Sequence, residues 1–270
     1  MRPDRGCTRV LSLQEGRMLF GFFEDGGFRG NMPHGRSMRK QRLTMKDQMY
    51  GSSVLRGLRT ELLTMGSLVQ MAYSKARTSV LLRDVKVAEE VVRGDDVIDD
   101  MELELDEKCT SVIARTQPVA KDLRFILTAV RMVLDLERIA DEAVTIGRQV
   151  EHLPEVLPSE LEQELARYMQ LAFDMLDTSL SAFRNEDVNF GMTVFQNTEE
   201  SVRLLLAIYE KLMDAVRRSQ VDPGVAVPLI LIVRSIDRIC RRSENIVEHL
   251  CFMCDGITVK HRVKLSGAEA

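Results

Sequence analysis

The chain of 270 residues carries 37 basic and 41 acidic side chains for a formal net charge of -4, which leaves no basic footprint for nucleic acid. Its longest apolar run, Val225 to Val233, falls well short of the roughly 20 residues needed to cross a bilayer. Aromatics make up 5% and Trp is absent, while Leu, Val, Met, Ala, Glu and Arg are plentiful, a composition that suits helices better than sheets.

Residues 1–45 stand apart, with seven of the 16 glycines, four of the 10 Phe and no helical period. They are read as a flexible N-terminal extension, or as the product of an upstream start codon with the true start near Met45. No apolar stretch followed by a small-residue cleavage site marks an export signal. Five cysteines, an odd number, then read as reduced thiols, and a cytoplasmic location is expected. Cys251 and Cys254 form a lone CxxC without the second pair or the histidines that a zinc site needs, so buried structural thiols are the simpler reading.

From Met45 the pattern is helix after helix. Leu55, Leu58, Leu62, Met65, Leu68, Val69 and Ala72 mark one apolar stripe at three- and four-residue steps. A second helix is expected from about Asp84 to Ala114, and a third, with Pro118 in its first turn, to about Glu151. Ser159 is expected to cap a fourth helix running to about Phe183, with Glu162 completing a capping box. A fifth is expected from "RNEDVN" to near Ser219, and a sixth from "QVDPGVAVP" to about Cys254.

The segment "DLERIADEAVTIG" (135–147) is echoed by "SIDRICRRSENIV" (235–247). Glu137, Arg138 and Ile139 match Asp237, Arg238 and Ile239, but Asp141 faces Arg241. The fold class expected is therefore all-α, two tandem pseudo-symmetric three-helix bundles. The divisions are 1–45 extension, 46–153 first repeat, 154–262 second repeat and 263–270 disordered tail.

Asp95, Asp99, Glu102 and Asp106 are spaced by four, three and four, which places four carboxylates on one face of the second helix. Glu137 and Asp141, four apart on the third helix, are flanked by Leu134, Ala140 and Val144 on the side that packing would bury. If the two helices pair antiparallel, the sets converge as hard oxygen donors for Mg²⁺, Mn²⁺ or iron. On spacing alone such a stripe is more often a solvated face, and Arg131 and Arg138 are available to neutralise it. A ferritin-like di-iron site needs Glu-x-x-His, and none of His34, His152, His249 or His261 has a Glu three residues before it.

"GDDVIDDMELELDEKC", "ARTQPVAKDLR", "LERIADEA", "RSIDRIC…ENI" and "DGITVKH", in that order across about residues 50–262, resemble the PhoU family of phosphate-uptake regulators. The resemblance implies two similar three-helix bundles. It also implies a cytoplasmic negative regulator of phosphate uptake and of the starvation response, one that works between the phosphate ABC transporter ATPase subunit and a phosphate-sensing histidine kinase. Several members bind multinuclear metal clusters (Fe, Mn, Zn or Mg) through Glu/Asp-x-x-x-Asp motifs, which fall here on Glu102 with Asp106 and on Glu137 with Asp141.

The candidate metal residues are thus Asp99, Glu102, Asp106, Glu137 and Asp141, all in the first repeat. In the second repeat the counterparts of Glu102 and Asp106 fall near Leu204 and Ile208, and the fixed charge of Arg241 would repel a cation and pair with Asp237 or Glu244 instead. A homodimer is expected, without direct membrane insertion. The function expected is non-enzymatic, either with metal or as a metal-free adaptor whose acid face docks a basic surface. A metal-dependent hydrolase using the same carboxylates is the alternative from another class.

Overall fold

The computed structural model describes residues 45–258, with side chains from residue 51 onward except Ser52. The expectations for the N-terminal extension and for the tail beyond residue 258 lie outside the described residues. Every described residue belongs to one compact unit. Its order is α1 (Met45–Leu82), α2 (Val85–Thr116), α3 (Ala120–Gln149), α4 (Ser159–Asn185), α5 (Val188–Met192), α6 (Thr198–Arg217) and α7 (Pro223–Asp255), with 3-10 turns at Val150–His152 and Thr193–Asn197. Among the described residues there is no strand.

The architecture is all-α, in two tandem pseudo-symmetric bundles. α1, α2 and α3 pack on one another, α4, α6 and α7 do the same, and α3 lies along α7 between them. The symmetry is legible residue by residue. The burial of positions 131–141 on α3 is repeated without exception at 231–241 on α7, because the same apolar phase faces the same kind of neighbour twice. Across the bundles, the buried Tyr73 of α1 donates its hydroxyl to the Met169 carbonyl of α4 at 3.0 Å.

Local chemistry sets the helix ends, and it corrects several expectations. Asp84, where the second helix was expected to begin, caps α2, its carboxylate accepting from the backbone N–H of Lys86 and Val87 at 3.0 and 3.1 Å. Pro118 stands before α3 rather than in its first turn, since the chain is still extended at Val119. Ser159 is the first residue of α4 and not its cap, and Glu162 leaves the expected capping box to pair with Arg83 at 3.0 Å. That arginine also donates to the Pro154 carbonyl at 2.9 Å, tying the α1–α2 corner to the link between the bundles.

The expected fifth helix is broken into α5, a 3-10 turn and α6. Asp187 accepts from the Phe190 N–H at 2.9 Å, and Thr193 donates to the Phe190 carbonyl at 2.6 Å, so local side-chain bonds compete with a continuous helix. Gly191 makes the break packable. A Cβ there would lie 3.2 Å from side-chain atoms of both Ala182 and Val247, so the missing Cβ lets α5 sit down closely on α4 and α7.

Candidate functional site

The site is built on the seam between α2 and α3. Gly147 sets the approach, because a Cβ at that position would meet the Ala88 carbonyl oxygen at 3.3 Å. From that crossing the helices run antiparallel. Asp141 acts on Asp95 and Asp99, and further along Glu137 acts with Glu102. The phase that buries Ala140 and Val144 in the first bundle leaves Glu137 half-buried and Asp141 exposed beside the seam. Leu134, expected on the buried side, is instead 41% exposed, since it lies on the solvent-facing row that also carries Arg131 and Arg138.

The electrostatics follow from this convergence. Burial pushes the Glu137 carboxyl up to about 7, and the charges of Asp141 and Glu102 add to that. Burial, then Asp99 and Asp141, push Asp95 up to about 6, with Arg148 opposing. Asp99 is raised for the same reasons, burial first and Asp141 next. Asp106 stands one helical turn beyond the α3 acids. Continuing the register sets it against the turn of Val133 and Leu134, and its charge is felt by Cys109 of its own helix.

Among the described residues, none of Asp95, Asp99, Glu102, Asp106, Glu137 and Asp141 forms an ion pair. Elsewhere in the molecule acids are regularly paired, as in Lys108–Glu61 at 2.8 Å and Arg59–Glu186 at 2.7 Å. Arg131 and Arg138 form no ion pair with the stripe: Arg131 lies over the Phe252 ring, 5.1 Å from its centroid, and the charge of Arg138, which lowers Glu137, is outweighed by burial and the neighbouring acids that raise it. Among the described residues no three His, Cys, Asp or Glu side chains already converge as ligands around one point. The carboxylates share a face and a field. As a donor set, hard oxygens without ion-pair partners fit a hard divalent cation, which would supply the missing counter-charge.

The equivalent face of the second bundle has a different chemistry. Arg241 Nε donates to Asp237 Oδ2 at 2.9 Å. Glu244, its carboxyl raised by burial, accepts from Thr198 at 2.6 Å. Leu204 and Ile208, the expected counterparts of the α2 acids, are buried. The thiols of Cys251 and Cys254 are both raised by burial and by neighbouring acids, the state of packed rather than reactive cysteines.

One polar cluster was not singled out from sequence. At the α3–α7 seam, Asp135 is buried and bonded by Arg242, Asn245 and His249 at 3.0, 3.2 and 3.0 Å. The available signal was an acid on the buried phase of α3, at the first position of the echoed segment, where the echo has Ser235.

The sequence matches a family model for the PhoU domain twice, over residues 62–150 and 165–250. The phosphate-specific transport system accessory protein PhoU of Serratia marcescens is 31% identical over 212 residues, which is 77% of this chain and 85% of that protein. The protein of the same name from Escherichia coli (strain K12) is 31% identical over 215 residues, covering 77% and 86%. The crystal structure of PhoU from Pseudomonas aeruginosa is similar with a TM-score of 0.72 at 28% identity, covering 76% of this chain and 99% of that one. That of the phosphate transport system regulatory protein PhoU from Streptococcus pneumoniae, at 24% identity and a TM-score of 0.71, covers 77% and 99% and shares the fold. With both halves matched in order and the same bundles formed, the chain belongs to the PhoU family.

Proposed function

We propose that this protein is a negative regulator of phosphate uptake and of the phosphate-starvation response. In this reading it acts without catalysis, as a cytoplasmic adaptor and homodimer between the phosphate transporter's ATPase subunit and the phosphate-sensing histidine kinase. Relatives named as accessory and regulatory proteins of phosphate transport support the reading. No helix among the described residues is long and apolar enough to cross a membrane, which fits a partner that docks on membrane proteins from outside the bilayer. The observation that carries the proposal is the row of acids without ion pairs along α2 and α3, a surface made to meet positive charge.

Asp99, Glu102, Glu137 and Asp141 would hold hard cations (Fe, Mn, Zn or Mg), with Asp106 reached by rotamer change. A bound cation would supply the counter-charge that the face lacks. Deleting the gene should derepress phosphate-starvation genes in high phosphate, and unchanged expression would overturn the assignment. One observation favours a second reading, a metal-dependent hydrolase. A carboxyl at about 7 is poised for proton transfer at neutral pH, and Glu137 has that value. Phosphatase turnover with Mn²⁺ or Fe²⁺ that disappears in Glu137→Gln would establish the hydrolase over the adaptor; no turnover would leave the adaptor standing.

A further inference from the structure

α3 and α7 lie antiparallel, so the echo places matching residues on either side of a local pseudo-two-fold axis. Arg138 and Arg238 are one such pair. Arg238 Nη1 donates to Glu142 Oε1 at 2.9 Å, and Glu142 is 7% exposed. The mirrored bond would join Arg138 to residue 242, but that position is an arginine. Arg242 turns to Asp135 instead, which it shares with Asn245 and His249. Burial alone would raise the Asp135 carboxyl, but the bonds from His249, Asn245 and Arg242 hold it below the usual range.

This four-residue latch accounts for the buried carboxylate and its donors. It leaves Arg138 without the acid that its counterpart has, and among the described residues Arg138 makes no ion pair or hydrogen bond. A cleft of about 380 Å³ opens over the latch, lined by Arg131, Arg138, Asn245, Glu248, His249 and Phe252 among others. Arg131 is held over the Phe252 ring rather than by an acid. Asp135 is already satisfied by three donors, so Glu248 is the one carboxylate of the lining without an ion pair or hydrogen bond among the described residues, in a cleft that also holds two guanidinium groups.

We propose that this cleft binds a small phosphorylated anion, with Arg131 and Arg138 on its phosphoryl oxygens and the Phe252 ring beside its remainder. Two guanidinium forks match an anion with several oxygens and more than one charge better than they match a single carboxylate. The volume lies within the usual range of small-molecule sites, roughly 300–1,000 Å³, and exceeds what orthophosphate alone would fill. The buried latch beneath fixes both helices, so the site is formed before the ligand arrives. None of this involves the α2–α3 acids, so the proposal stands or falls apart from the metal reading.

Isothermal titration of the full chain with ATP, pyrophosphate and inorganic phosphate, in EDTA so that no cation on the acid face captures them, tests it. Saturable binding of one molecule per chain is expected, and whichever probe binds tightest names the source: a nucleotide, a polyphosphate or free phosphate. Arg138→Gln and Arg131→Gln should each weaken it by about tenfold or more. Arg234→Gln, outside the cleft, should stay within about twofold of wild type. Both arginines are exposed, so the variants should melt like wild type, and a loss of binding then reads as a loss of contacts. Failure of all three probes to bind, or an Arg138→Gln chain that binds as wild type does, overturns the proposal and makes the arginines a solvated face.

Discussion

Arg241 Nε meets Asp237 Oδ2 at 2.9 Å on α7, one helical turn apart, where α3 sets Asp141 one turn from Glu137. The echo keeps the backbone, the burial and the first acid, and it changes the second acid to a permanent cation. Two carboxylates one turn apart repel, and the charge of Asp141 adds to the burial that raises Glu137. A carboxylate and a guanidinium satisfy one another and offer nothing further to a metal.

Metal, where the protein carries it, should therefore sit in the first bundle alone. Elemental analysis of protein purified without chelators should show that Glu137→Ala with Asp141→Ala abolishes bound metal, while Asp237→Ala leaves it unchanged. Equal loss in Asp237→Ala would sink the asymmetry. Wild-type protein that never takes up metal would leave the stripe as a partner-binding or solvated face.

Stability should respond to pH through the same carboxyls. Glu137 moves from 4.5 to about 7 and Asp95 from 3.8 to about 6 on folding, so the folded state holds protons that the unfolded chain has released. For a raised folded-state value, the stabilising contribution is complete below the unfolded value and is lost as pH rises through the folded one. Metal-free protein should thus melt lower as pH goes from 4.5 to 7, a window in which Asp135, shifted downward, stays ionised in both states. Glu137→Gln should flatten that slope. After discounting for solvent screening, it should raise the melting temperature at pH 8 by about 2–4 °C, on the order of 1 kcal/mol. An unchanged slope in the variant would show that the carboxyl is not raised.

The latch between the bundles gives a larger effect. Asp135 is 6% exposed and receives Arg242, Asn245 and His249. Asp135→Ala leaves those donors without their acceptor and should cost roughly 3 kcal/mol in chemical denaturation. Arg238→Ala, whose side chain is half exposed, should cost less even though it frees the buried Glu142. Negligible costs for both would show that the seam is held by apolar packing alone.

A chain starting at Met45 should keep its melting temperature within about 2 °C of the full-length protein. The glycine load of the preceding residues and their lack of an apolar period give no basis for a packed unit. A large drop would show that the segment is docked on the bundles.

Much of this molecule was written locally. The three- and four-residue apolar steps from Leu55 to Ala72 depend on residues within a few turns of one another, and the hundred-residue echo is a direct match of two segments, so both were readable without coordinates. The clustering of Asp99, Glu102, Glu137 and Asp141 needed only one further assumption, that α2 and α3 pair antiparallel. The break at Gly191 was decided elsewhere, by the surfaces of α4 and α7 against which that segment must lie. Glu162 was drawn from its cap by Arg83, a residue far back in the chain. The latch at Asp135 was hidden most deeply, because its donors come from the opposite bundle more than a hundred residues away. Periodicity shows which face of a helix is buried, but only the packing of α3 on α7 decides which charge lies opposite a buried carboxylate, and that opposition fixes whether the carboxylate is a liability or a bond.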